Sequence, residues 1–183
     1  SVDVDGEKKE LLTLLADQRA LLRITARNLT EEQARALPTV SELSIGGLLK
    51  HVALVERNHV RTITERDENA QFDMSDAENG YVLGDDESLQ GWLDEYATIA
   101  AEYEKLIAAT DLNDSIPQAT APWAPEREWL TVRTMALHLL RETAHHSGHA
   151  DIIRETLDGQ TTMSALSEGQ DWAAEVSGAD AAS

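Results

Sequence analysis

TVRTMALHLLRETAHHSGHADIIRETLDG, residues Thr131 to Gly159, carries one sustained helical period. An α-helix advances about 100° per residue, so every side chain can be placed around its axis. With Leu139 as origin, Val132, Met135, Thr143, Ala150, Ile153 and Leu157 all fall within about 40° of it. They define a buried stripe. Asp158-Gly159 closes the pattern, with glycine where a helix ends in the left-handed conformation. A stripe of this length must be covered by other helices, so the rest of the chain is read for partners.

Three partners are legible. Residues Gly6 to Leu29 place Leu11, Leu14, Leu15, Leu21, Leu22 and Leu29 along one side. Ser44 caps a second helix reaching Arg66, with Ile45, Leu48, Val52, Val55 and Ile63 as its apolar line. A third begins near Asp86 or Ser88; Leu89, Trp92, Tyr96, Ile99, Tyr103 and Leu106 alternate steps of three and four. Between them, LTEEQARALP reads as a turn with capping-box spacing at Thr30 and Gln33. DENAQFDMSDAENGYVLGDDES has no period and reads as a loop of about 20 residues, long enough to cover a site. IPQATAPWAPEREW is a proline-containing connection, and no strand run or internal repeat stands out. The fold class expected is all-α, an up-and-down-type four-helix bundle over residues 1–160 with a polar tail over 161–183.

Composition narrows the function. The chain has 183 residues, enough for one domain with a sizeable core. Its 34 acids against 15 bases leave a net charge of -19, which argues against binding nucleic acid or an anionic membrane surface. There is no cysteine, so disulfides, zinc–thiolate clusters and a cysteine nucleophile are excluded. Any thiol chemistry must use a thiol from outside. No stretch approaches a membrane span and no signal peptide is recognisable, so the expected address is cytoplasmic.

The histidines are unevenly spread. Of six, four fall between His138 and His149. On the Leu139 wheel His146 lies about 20° from centre, Glu142 about 60° to one side and His149 about 80° to the same side. His145 lies about 120° away, near the wet face. Glu142 and His146, four residues apart, therefore stand one above the other and look into the bundle. His138 is about 12 Å along the axis from His146 and is read as an outer or entrance residue. On the second helix His51 lies about 60° off the stripe centre, at the edge of the buried face, and His59 is nearer the centre. A buried carboxylate and buried imidazoles are costly unless satisfied. A hydrogen-bonded Glu–His pair with His51 satisfied separately meets that cost. So does a shared divalent cation, which keeps the carboxylate ionised and the rings neutral.

The same residues carry a resemblance. TVRTMALHLLRETAHHSGHADIIRETLDG resembles the last helix of the DinB-like superfamily, in its branch related to mycothiol-dependent enzymes. LLKHVALVERN resembles the second helix of that branch, and LTEEQARALP with Gln18-Arg19 upstream resembles the end of its first. The likeness spans Gly6 to Gly159. It implies a four-helix bundle holding a divalent metal through three side chains, which fall here on His51, Glu142 and His146. Many relatives have histidine in place of the glutamate, whereas the mycothiol-dependent maleylpyruvate isomerases are similar to this chain in having Glu then His. Where many relatives read H-R-G-Q, this chain reads His146-Ser147-Gly148-His149, so His149 is expected as an outer donor or a fourth ligand. The sequence given ends soon after the bundle, and the isomerisation itself is not expected.

Two imidazoles and a carboxylate suit zinc first, with nickel, iron(II) or manganese as alternatives. Three ligands leave a position open, as in catalytic sites. The resemblance implies a metal-dependent thiol S-transferase whose partners are a low-molecular-weight thiol such as mycothiol and a small-molecule electrophile. A metal-dependent hydrolase and a non-catalytic metal-binding bundle are the alternatives, and relatives often pair as homodimers. Trp92, Trp123 and Trp129 read as core and cover residues, and Arg57 and Arg141 as partners of Glu56 and Glu142 or of an anionic substrate.

Overall fold

The computed structural model describes residues 2–168. Its elements run α1 (Gly6–Thr25), α2 (Glu31–Arg35), α3 (Ile45–Glu65), α4 (Met74–Asn79), α5 (Leu89–Ala109), β1 (Ser115–Pro117), β2 (Trp129–Thr131), α6 (Val132–Asp158) and α7 (Thr162–Ser167). The four long helices α1, α3, α5 and α6 form the bundle. Each of the last three begins on a hydroxyl that accepts a backbone N–H three residues on: Ser44 from Gly47, Ser88 from Gly91, Thr131 from Thr134. α6 ends on Gly159 at φ 77°, whose N–H donates to the Glu155 carbonyl.

The chain does not join neighbours in simple rotation. α1 packs mainly on α6, α3 on α5 and α6, while α1 touches α3 and α5 only lightly. Around the bundle the order is therefore α1, α6, α3, α5. The connections 26–44 and 110–131 span diagonals, which bundles achieve only through longer links. This order makes α3 and α6 neighbours, and the site depends on that.

Local departures from the sequence reading have physical reasons. α1 stops at Thr25 rather than Leu29, because the N–H groups of Ala26 and Arg27 turn back to the carbonyls of Arg23 and Ile24, tightening the last turn. Its buried face is Leu12, Leu15, Arg19 and Leu22, with Leu14 half exposed at 51%. The turn at LTEEQARALP is a true short helix, α2, with its capping box formed in both directions. β1 and β2 pair antiparallel, Ser115 opposite Thr131 and Ile116 opposite Leu130. At three residues each they are too short for a period to show in sequence. Within the expected tail, α7 packs on α1 and buries Ala165, while residues 169–183 lie outside the described residues. Among the described residues no helix is long and apolar enough to cross a membrane.

The core divides into two clusters. One is built on Leu22, Ile45, Leu48, Leu49, Tyr96, Ile99 and Ile153, the other on Leu15, Ile63, Tyr103, Ile107 and Leu139. Between them sits a buried ion pair. Arg19 Nε donates to Glu56 Oε2 at 3.2 Å, Nη2 of Arg19 pairs with Oε1 of the same carboxylate, and Nη1 reaches Glu104 Oε1 at 3.3 Å. Glu56 is wholly buried, and burial pushes its carboxyl pKa up while the guanidinium opposes the rise. Removing one partner of such a pair strands a charge, whereas replacing both with apolar residues is close to neutral. Arg19→Met is therefore expected to lower unfolding free energy by about 3–5 kcal/mol, and Arg19→Met with Glu56→Met to recover most of it; urea denaturation reads both.

Candidate metal centre

α3 and α6 lie side by side, and their facing edges bring His51 to Glu142 and His146. Nε2 of His51 is 3.9 Å from Glu142 Oε2, and Nε2 of His146 is 3.6 Å from the same oxygen. One donor atom from each residue lies within 4.8 Å of the others. The two rings stand nearly perpendicular, 82° apart, with centroids 4.8 Å apart. Side chains four apart on α6 stack by helix geometry alone, and the third comes from the neighbouring helix.

These spacings decide the chemistry. At 3.6–3.9 Å the nitrogens and the oxygen are too far apart for hydrogen bonds. They are near the separation of about 3.3 Å between two ligands that each sit ~2.0–2.1 Å from one tetrahedral cation. Burial, and then the nearby His146 ring, lower the His51 pKa to about 4, against the pull of Glu142. Burial likewise lowers that of His146. Both rings are therefore neutral at physiological pH, the form in which an imidazole can bind a cation. The group can hold a divalent cation, and its mixed nitrogen and oxygen donors are of the type zinc, nickel, iron(II) and manganese accept.

The remaining histidines sort around this group. His149 Nδ1 is 3.3 Å from His146 Nδ1, so one ring donates to the other and His146 keeps Nε2 towards Glu142. His149 is thus an outer partner and stands apart from the three converging donors. His145 is exposed, packed edge-on against His149. His59 is buried and satisfied, with Nδ1 2.8 Å from the Val55 carbonyl, and burial lowers its pKa to about 4. His138 stacks on His59 with planes 13° apart and reaches Glu142 Oε1 at 3.9 Å. Arg141 lies 3.7 Å from the same oxygen. Arg57 faces Glu95 at 3.8 Å, because Glu56 turns inward to Arg19. Of the tryptophans, Trp92 packs partly on the core and donates Nε1 to Glu87, whereas Trp123 and Trp129 are exposed.

One site neighbour carries no sequence signal. Tyr81, from the patternless loop, stacks on His51 at 3.9 Å with its hydroxyl 3.0 Å from Nε2. Burial, and then the charge of Glu142, raise its pKa, so the phenol stays protonated. Its backbone is clamped. Lys50 Nζ donates to the Val82 carbonyl at 2.9 Å, and Arg35 donates to those of Leu83 and Glu87 at 2.8 and 2.6 Å. Gly47 lets the loop close on α3, since a methyl there would overlap the Tyr81 carbonyl. Alanine normally favours a helix by about 1 kcal/mol over glycine, but here Gly47→Ala is expected to lower stability by about 1–3 kcal/mol through overpacking, read by thermal melts.

Clefts of about 530 and 490 Å³ lie elsewhere, at the end of α1 and beside Asn58 and Arg61. Donor geometry, not cleft size, marks the site.

Comparisons with known proteins bear on the family and the fold. A sequence model described as mycothiol-S-transferase matches residues 10–159, which include His51, Glu142 and His146. A search of curated proteins finds no match. Among solved structures, the chain is similar to one described as a conserved protein of locus from Enterococcus faecalis, with a TM-score of 0.63 and 17% identity over 86% of this chain and 100% of that one. At that identity the likeness speaks for the fold alone.

Proposed function

We propose that this chain, which belongs to the mycothiol-S-transferase family, is a divalent-cation-dependent transferase that joins the sulfur of mycothiol to a small electrophile. The observation that carries this reading is the convergence of three donors not bonded to one another, His51, Glu142 and His146, within the matched span. Zinc is the first candidate for the ion. The reading includes a cytoplasmic address and pairing into homodimers.

A divalent cation held there would supply the Lewis acidity that keeps a thiol ionised at neutral pH. The chain's part is to shape that centre. Two neutral rings and one carboxylate leave a formal charge of about +1, which favours an incoming thiolate; several anionic ligands would cancel it. With His149 Nδ1 accepting the Nδ1–H of His146, the Nε2 lone pair of His146 would face the cation. His138 and Arg141 flank the outer oxygen of Glu142, and the Arg141 guanidinium balances its charge on the solvent side. The described residues contain no cysteine, so the sulfur comes from the small thiol. In the transfer a carbon–sulfur bond forms, the leaving group departs with its electron pair, and the thiol proton passes to solvent.

Purified, metal-loaded protein mixed with mycothiol and monochlorobimane is expected to form the fluorescent conjugate well above the uncatalysed rate. A chelator should abolish that rate and added zinc restore it, and His146→Ala should remain near background. Absence of conjugate with mycothiol and other small thiols contradicts the reading. Turnover of an ester or amide without any thiol would favour a hydrolase instead.

A further inference from the structure

We propose that Tyr81 is a catalytic residue of this site whose hydroxyl hydrogen-bonds the oxygen of the electrophile, so that the acceptors it favours are epoxides and enones over alkyl halides. The inference rests on the transferase reading above. Oη of Tyr81 lies 3.0 Å from Nε2 of His51, the same lone pair a cation would take. One lone pair serves one partner. With a cation on His51 the hydroxyl proton needs another acceptor, and Tyr81, only partly buried, can offer it to an electrophile that comes to the sulfur from solvent. Tyr81 also lies edge-on to His146, with ring centroids 5.9 Å apart, so it borders both imidazoles. Stacking on His51 and the Gly47 contact fix the ring independently of its hydroxyl.

The chemistry follows from where charge develops. When thiolate sulfur opens an epoxide, the carbon–sulfur bond forms, the carbon–oxygen bond breaks, and the electron pair moves onto oxygen. That oxygen accepts a stronger hydrogen bond from Tyr81 as its charge builds, then takes a proton from water. Because the interaction strengthens towards the transition state, it raises rate as well as affinity. An alkyl chloride places the charge on chloride, a weak acceptor, and gains less.

The test compares metal-loaded wild type and Tyr81→Phe with mycothiol and two acceptors, styrene oxide and monochlorobimane. Phenylalanine keeps the ring stack. The ratio of kcat/KM for the epoxide to that for the bimane is expected to fall roughly 10–100-fold in the variant, with zinc content unchanged. An unchanged ratio overturns the proposal. So does loss of zinc from Tyr81→Phe, which would make Tyr81 a positioning residue for His51. A second readout needs no turnover: calorimetric affinity for the S-(2-hydroxyethyl) and S-ethyl conjugates of mycothiol. Tyr81→Phe should weaken only the hydroxyethyl conjugate, by roughly 3–10-fold, and equal losses or none overturn the proposal. If wild type conjugates neither acceptor, the transferase reading fails, and the affinity difference decides the role of Tyr81.

Discussion

The packing of α3 against α6 sets two imidazole nitrogens and a carboxylate oxygen face to face at distances none of them can bridge alone. Polar groups taken from water need partners, and these three point at one another without bonding. His51 Nε2 meets the Tyr81 hydroxyl and His146 Nδ1 meets His149, so the demand left unmet is the one among the three donors themselves. It arises because the bundle crosses its diagonals. If chain order alone set the neighbours of α3, α1 would stand beside His51 and offer no ligand.

The bundle contains a second buried charge cluster, and the contrast is informative. Arg19 and Glu56 are joined by two direct contacts and need nothing from outside. Their layer links the two halves of the core and is closed. The His51–Glu142–His146 layer has two rings held neutral by burial and a carboxylate whose side chain is 25% exposed. Charge complementarity completes the first layer internally. The second has the donors to be completed by a cation. One fold thus carries a structural polar layer and a receptive one, and helical periodicity alone does not distinguish them.

Much of this is legible in the amino-acid sequence, and the limits have clear causes. The period of α6 fixes its face, so the inward direction of Glu142 and His146 and the outward direction of His145 follow from residue spacing. His51 reads as an edge residue of the buried stripe of α3, where it is found. The capping residue Ser44 and the stop at Gly159 follow from local chemistry. Arg19 does not read as a core residue, because a charge on an apolar stripe makes sense only beside Glu56, 37 residues away. Tyr81 is silent in sequence because a loop side chain has no period, and its position is set by the Gly47 contact and the Lys50 and Arg35 bonds to backbone. The diagonal connections are hidden for a similar reason, since connection length permits such a crossing without requiring it.

The central claim is that one cation sits between α3 and α6 on these three side chains. Calorimetric zinc titration of metal-stripped wild type beside His51→Ala, Glu142→Gln and His146→Ala tests it most directly, with circular dichroism confirming that each variant is folded. The account predicts one tight site per wild-type chain and its loss or severe weakening in all three variants. Full-strength zinc binding by folded His51→Ala or His146→Ala, or no binding by wild type, would contradict it.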